Sequence, residues 1–152
     1  MNEFNYPLHL RWADMDPNFH LRHDVYYAIG AQIRIEALAS VGITSMRMQE
    51  GNIGPIIFRE ECIFKREIRL GQKLVIDVRL SKAREDASRW SFRHGILRED
   101  GTLCAVMNLD GAWIDTKLRK LAIPEREFAN DFFKLPRTED FEMQPVPAPR
   151  SA

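Results

Sequence analysis

Between Asp24 and Gly42 the chain carries one long apolar stripe at helical spacing, and between residues 54 and 115 it carries mostly two-residue alternation. That pairing constrains the fold more than any other feature. Val25, Ile29, Ile33, Ala37 and Val41 recur every four residues, and Ala28 and Ile35 widen the stripe. Asp24 stands where an N-cap is expected, and Gly42 where a helix ends in a left-handed residue. Gly30 costs about 1 kcal/mol relative to alanine in mid-helix, so it predicts close approach of the helix to a sheet. Gln32 and Glu36 lie beside the stripe and are expected to face a cleft.

The alternation downstream defines strands. "GPIIFREECIF" gives one. Leu74, Ile76, Val78 and Leu80 alternate with Asp77, Arg79 and Ser81 in a second. Trp90, Phe92, His94 and Ile96 alternate with Arg89, Ser91 and Arg93 in a third. Asp100-Gly101 marks a hairpin turn before a fourth strand ending near Asp115. Upstream, "LHLRWA" (8–13) sets Leu8, Leu10 and Trp12 against His9 and Arg11, a first strand. A helix of about 17 residues is some 25 Å long. A five-stranded antiparallel curved sheet wrapped around one such central helix buries the stripe and one sheet face together, an α+β two-layer domain. "PEREFANDFF" predicts a short helix with Pro124 at its first position, docked by Phe128, Phe132 and Phe133. The domain is expected to span 1–135, with 136–152 a proline-rich, extended or disordered C-terminal tail. Edge strands left open predict a homodimer or homotetramer.

Composition excludes several function classes. The 152 residues suit one domain, and Lys plus Arg equals Asp plus Glu, 22 each. No net field draws the chain to nucleic acid or an anionic membrane. No apolar run approaches the roughly 20 residues of a membrane-spanning helix, and the opening residues do not lead one to expect a signal peptide. Cys62 and Cys104 form no CxxC pair, which fits a cytoplasmic protein with two structural thiols and speaks against a cysteine-built zinc site.

The loop "RWADMDPNFHLRH" (11–23) precedes the helix, and Pro17 holds Asp16 out of helical conformation. Asp14 and Asp16 read either as turn formers or as catalytic carboxylates. Asp14 suits a supporting role, pairing with Arg11 or capping backbone N–H groups. Asp14, Asp16, His20 and His23 also include metal-ligand types, but His-x-x-His in a loop without a flanking Glu is not a metal motif. No metal and no cofactor is expected. His94, on the apolar side of its strand, reads first as a satisfied core or interface histidine. Arg89, Arg93 and Lys82 read as solvated surface or as contacts to phosphates.

The element order, together with Trp12, Asp14, Asp16, Phe19, His20, Leu21, Arg22, His23, Tyr26 and Tyr27, resembles the hotdog fold and, within it, the 4-hydroxybenzoyl-CoA thioesterase family with its YbgC-like acyl-CoA thioesterases. "FKREIRLGQKLVIDVRL" and "KLAIPEREFAND" are similar to later stretches of that family. The resemblance covers roughly residues 6–132. It implies hydrolysis of an acyl-CoA thioester, with Asp16 as nucleophile or general base. The backbone N–H near His23, at the helix start, would be the oxyanion donor, and His20 would orient Asp16 or polarise the carbonyl. Phe19, Tyr26, Tyr27, Arg89 and Arg93 are the expected substrate contacts. Many members have glycine where Phe19 stands and an Asn pair where Arg22 and His23 stand, so Phe19 is expected to reshape the acyl pocket. Two other readings keep the fold. One is an acyl-thioester dehydratase or hydratase, for which His20 with Glu36 is the available pair; the other is a non-catalytic acyl-CoA-binding module.

Overall fold

The structure, a computed structural model, describes residues 4–149. The outermost parts of both expected segments, 1–3 and 150–152, lie outside the described residues. In chain order come β1 (Asn5–Pro7), a short 3-10 turn (Trp12–Asp14), α1 (Val25–Ser40) and α2 (Ser45–Glu50). They are followed by β2 (Ile53–Phe64), β3 (Leu74–Asp77), β4 (Arg79–Arg84), β5 (Arg89–Arg98), β6 (Leu103–Asp115), β7 (Lys120–Leu121), α3 (Arg126–Phe132) and β8 (Arg137–Gln144).

The sheet is five positions wide. β2 pairs with β6, β6 with β5, and β5 with both β3 and β4, all antiparallel. β3 and β4 are one strand interrupted at Val78, with a register shift between Leu80 and Lys82. The fifth position is shared: β1 pairs antiparallel with β3, and β8 pairs parallel with β4. The curled sheet holds α1 in its concave face, the hotdog arrangement. Leu74, Ile76, Val78, Leu80, Trp90, Phe92, His94 and Ile96 are all buried, as their alternation predicts.

α1 ends as expected, with Gly42 at φ +93°. Its beginning differs: the Asp24 carboxylate makes no cap and instead accepts from Arg22 Nε at 2.6 Å. Gly30 is a contact point. A methyl group there would come 2.7 Å from Met107 Cε and 3.1 Å from Arg34 Nη1.

Two expectations are corrected, and a third element had not been expected at all. The strand expected over 8–13 is replaced by β1 and the 3-10 turn, and Trp12 is exposed. The cause is local: the buried Asp14 carboxylate takes the Arg11 backbone N–H at 3.0 Å and its guanidinium at 2.7 Å, which pulls the chain out of extended conformation. The segment expected as a tail from 136 is a sheet strand as far as Gln144. Its low apolar content hid it; the anchors are Thr138, which is buried, and Arg137, whose guanidinium lies over Phe141 at 4.6 Å. The third is α2, unanticipated although Thr44 is an ordinary N-cap, accepting from Arg47 N at 3.1 Å.

His94 is fully buried. Its Nδ1 donates to Asp77 O at 2.9 Å and its Nε2 accepts from Arg34 Nη1 at 3.0 Å. Burial first, and the Arg34 charge second, push its pKa down to about 4. Below the ordinary value of 6.5 the unfolded chain therefore binds a proton that the folded chain refuses. Stability is present at neutral pH and falls as pH drops from 6.5 toward 4, by an amount on the order of 2–3 kcal/mol for this group. Urea titrations at pH 7 and pH 5 should show that loss in the wild type, and a shallower pH slope in His94→Asn. A second prediction concerns β8: a chain ending at Leu135 uncovers the β4 edge, and calorimetry should show Tm lower by several degrees.

Candidate active site

The loop from Met15 to Leu21 is a small hairpin closed by a Met15–Leu21 bridge. Asp16 N donates to His20 O at 2.8 Å, and Phe19 N donates to Asp16 O at 3.0 Å. The turn has Asp first and Pro second, as type I turns favour, and its fourth residue, Phe19, has φ +63°. Glycine is usual at such a position because a side chain there meets its own backbone. The loop is fastened to the segment after β2: Leu21 N donates to Ile68 O at 2.7 Å, and His20 bridges to Arg69.

Asp16 divides its carboxylate between structure and pocket. Oδ1 accepts from Asn18 N at 2.8 Å and from His20 N at 3.1 Å. These bonds occupy one oxygen and leave the other as an acceptor. Asp16, His20, His23 and Tyr26 line one pocket of about 320 Å³, together with Phe64, Lys65, Arg66 and Glu67. Tyr26 is buried and meets the Phe64 ring edge-on at 4.9 Å. Burial pushes its hydroxyl up to about 12, so it stays protonated and can donate. The His23 N–H, at the mouth of α1, meets no backbone carbonyl among the described residues. It is free to face negative charge at the positive end of the helix dipole.

The histidine roles differ from expectation. The His20 imidazole does not hold Asp16; its Nε2 lies 2.8 Å from Glu67 Oε2, and only its backbone N–H reaches the aspartate. Glu67 is held below the usual carboxylate range by Arg69 chiefly, with His20 and Arg98 adding. Glu36 is exposed and bonded to Gln32 at 3.1 Å, so it is not His20's partner within the chain.

The other expected contacts stand apart from this pocket. The Phe19 ring projects outward, 61% exposed, and meets Trp12 at 6.1 Å. Tyr27 packs half-buried against the core. The Arg89 guanidinium lies over the Phe58 ring at 5.4 Å. Arg93 is committed to Asp140 and Asn108. Lys65, Arg66 and Glu67 were not expected; the signal was a basic pair directly after a strand, where the chain turns back under the loop. Asp14 is occupied by Arg11, and among the described residues no three His, Cys, Asp or Glu side chains are grouped to hold a metal ion.

A curled sheet on one helix, with a carboxylate loop at the helix start, defines a hotdog protein with a candidate hydrolytic site. The chain belongs to the thioesterase-like superfamily, whose profile matches residues 10–149. Its fold is similar to a hypothetical protein from Staphylococcus aureus solved in complex with CoA, at 17% identity and TM-score 0.80, covering 89% of this chain and 86% of that one. It is also similar to a DHNA-CoA thioesterase from the same organism, at 16% identity and TM-score 0.76, covering 86% and 88%. A stretch of 72 residues is 35% identical to a 3-hydroxyacyl-(acyl-carrier-protein) dehydratase from Bacillus velezensis; that match covers 45% of this chain and 49% of the relative. The chain thus spans about half the length of the curated relative it matches. No helix among the described residues is long and apolar enough to cross a membrane.

The backbone at residue 19 gives a direct test. Phe19→Gly should be more stable than Phe19→Ala by about 1 kcal/mol in urea unfolding, because both remove the ring and only glycine relieves the positive φ.

Proposed function

We propose that this chain hydrolyses acyl-CoA thioesters in the Asp16 pocket. The reading rests on one observation: a carboxylate with one oxygen tied into a turn shares a pocket with an unused helix-start N–H and a basic pair. In this scheme water adds to the thioester carbonyl and gives its proton to Asp16. The carbonyl oxygen takes the developing charge opposite His23 N–H, the C–S bond breaks as the carbonyl re-forms, and Asp16 returns the proton to the departing CoA sulfur, which leaves as a thiol. Asp16 as nucleophile differs only in forming a mixed anhydride, which water then cleaves. Lys65 and Arg66 suit CoA phosphates by charge and position. Tyr26 lines the entry to the acyl side. Within the superfamily, the Asp16 loop favours kinship with the 4-hydroxybenzoyl-CoA thioesterase group.

The partner we infer is a second copy of the chain. Among the described residues β2 has one sheet neighbour, β6, and it exposes Phe58, Ile63 and Phe64. The His20–Glu67 pair keeps a dehydratase reading open to the same experiment. A panel of acyl-CoA esters with free-thiol detection should show hydrolysis, and Asp16→Asn should lose at least about a hundredfold in kcat/KM with little change in Tm. An unaffected Asp16→Asn would sink the assignment. Water loss from 3-hydroxyacyl thioesters without thiol release would put the dehydratase in its place.

A further inference from the structure

Three large apolar side chains stand in the open beside the Asp16 pocket. Trp12 is 70% exposed, Phe19 61% and Leu70 44%. The Trp12 and Phe19 rings lie 6.1 Å apart. Leu70 joins them through backbone pairing. The His20–Arg69 bridge is antiparallel, so Phe19 and Leu70, the next residues on each side of it, are cross-strand neighbours. Asp16 and His20, which flank Phe19 in the loop, line the pocket. Exposed apolar side chains are ordinary when scattered singly, but a contiguous group beside a candidate site marks a contact surface. Here the group is also presented at a cost, since Phe19 holds a positive φ while its ring faces water.

The charges around the patch select its partner. The chain as a whole is balanced, but this neighbourhood is not. Lys65, Arg66 and Lys73 are exposed, and none of them forms an ion pair among the described residues. Of the nearby carboxylates, Asp14, Asp24 and Glu67 are engaged by Arg11, Arg22 and Arg69 respectively. Asp16 has one oxygen tied into its turn. The unpaired excess is therefore positive. Two copies meeting through this patch would set like charges against like, whereas an anionic surface complements them all. Trp12 adds a second fit: tryptophan, apolar in body with one N–H donor, collects at the boundary between lipid headgroups and acyl chains.

We propose that the Trp12–Phe19–Leu70 patch docks on an anionic lipid surface, its rings entering the headgroup boundary while the surrounding cations contact lipid phosphates. Apolar burial and attraction to anionic lipid then act together, as they do for other interfacial segments. Docked so, the Asp16 loop stands at the surface in which long-chain acyl groups partition, because each methylene strengthens their hold on the membrane. The docking goes beyond the reaction proposed above and does not depend on it.

Tryptophan emission reads the docking directly, because Trp90 and Trp113 are buried and Trp12 is exposed. The probe is a vesicle of two parts phosphatidylcholine to one part phosphatidylglycerol, added without CoA, whose phosphates would compete for Lys65 and Arg66. It should shift the emission to shorter wavelength, and brominated acyl chains should quench it. Added salt, or phosphatidylcholine alone, should weaken the binding. Phe19→Gly/Leu70→Ser, which keeps the reporter, should partition at least about tenfold less. Lys65→Gln/Lys73→Gln should fall by a similar factor. Trp12→Ser, followed by co-sedimentation, should also bind less. All these positions are exposed, so the variants should keep the fold, with Tm as the check. Unchanged wild-type emission, quenching that survives in Phe19→Gly/Leu70→Ser, or co-sedimentation unaffected by Trp12→Ser each overturns the proposal. A blue shift that follows protein concentration without lipid assigns the patch to a contact between copies and overturns it as well. None of these readouts requires turnover, so a failure to hydrolyse any thioester would sink the thioesterase reading and leave this one intact.

Discussion

The middle of α1 can lie against the sheet only because residue 30 has no side chain. Met107 Cε and Arg34 Nη1 already occupy the space a Cβ would need. That gap lets Arg34 fold back along its own helix to reach His94, and it brings the helix close enough for His94 to be fully buried. The depth of the helix in turn fixes where its first turn emerges, and so where the free His23 N–H stands relative to Asp16. A core packing constraint and the geometry of the candidate site are therefore one problem, solved by a single missing methyl group.

The loop ahead of the helix works by a different means. It is held by backbone bonds, to itself at Asp16 and His20 and to the neighbouring segment at Ile68, and by Leu21, which is buried in the core, with Met15 packed against that core. Asp16 serves that purpose with one oxygen only. The expense of the arrangement falls on Phe19, which sits in the left-handed region without being glycine and turns its ring out against Trp12. A strained residue beside a candidate reactive group is where function and stability are expected to compete.

Period carried most of the legible information. The alternation within Leu74–Leu80 and Trp90–Ile96 named the core face of those strands, His94 included, because burial on one side of a regular element writes itself into spacing. On α1 the four-residue stripe was right at Val25, Ile33 and Ala37, but Ala28 and Ile35, expected to widen it, are exposed, and the stripe widens through Tyr26, Arg34 and Leu38 instead. What stayed hidden was set by interactions without a period. Arg11 and Asp14 turned an apparently alternating segment into a 3-10 turn through one ion pair. β8 joins the sheet with few apolar residues, held through Thr138, Arg137 and its ladder to β4, so composition made it look like a tail. In the site, Asp16, His20, His23 and Tyr26 are neighbours in sequence and were readable together. Lys65, Arg66 and Glu67 arrive from about forty residues away along the chain, and no local pattern announces that meeting. Arg89 and Arg93 looked suitable by type, but spacing could not show that their charges were already engaged by Phe58 and Asp140.

The two ends of the described chain meet along one border of the sheet. Val78 N donates to Phe4 O at 3.3 Å, and Leu80 N donates to Pro136 O at 2.8 Å, so β1 and β8 cover the kinked β3–β4 strand almost end to end. The kinked strand is therefore an interior strand, and β1 and β8 are the outer ones in its place. Segments from opposite ends of the described chain thus guard the same ladder, and loss of either one would bare the backbone groups of a strand that the fold keeps inside.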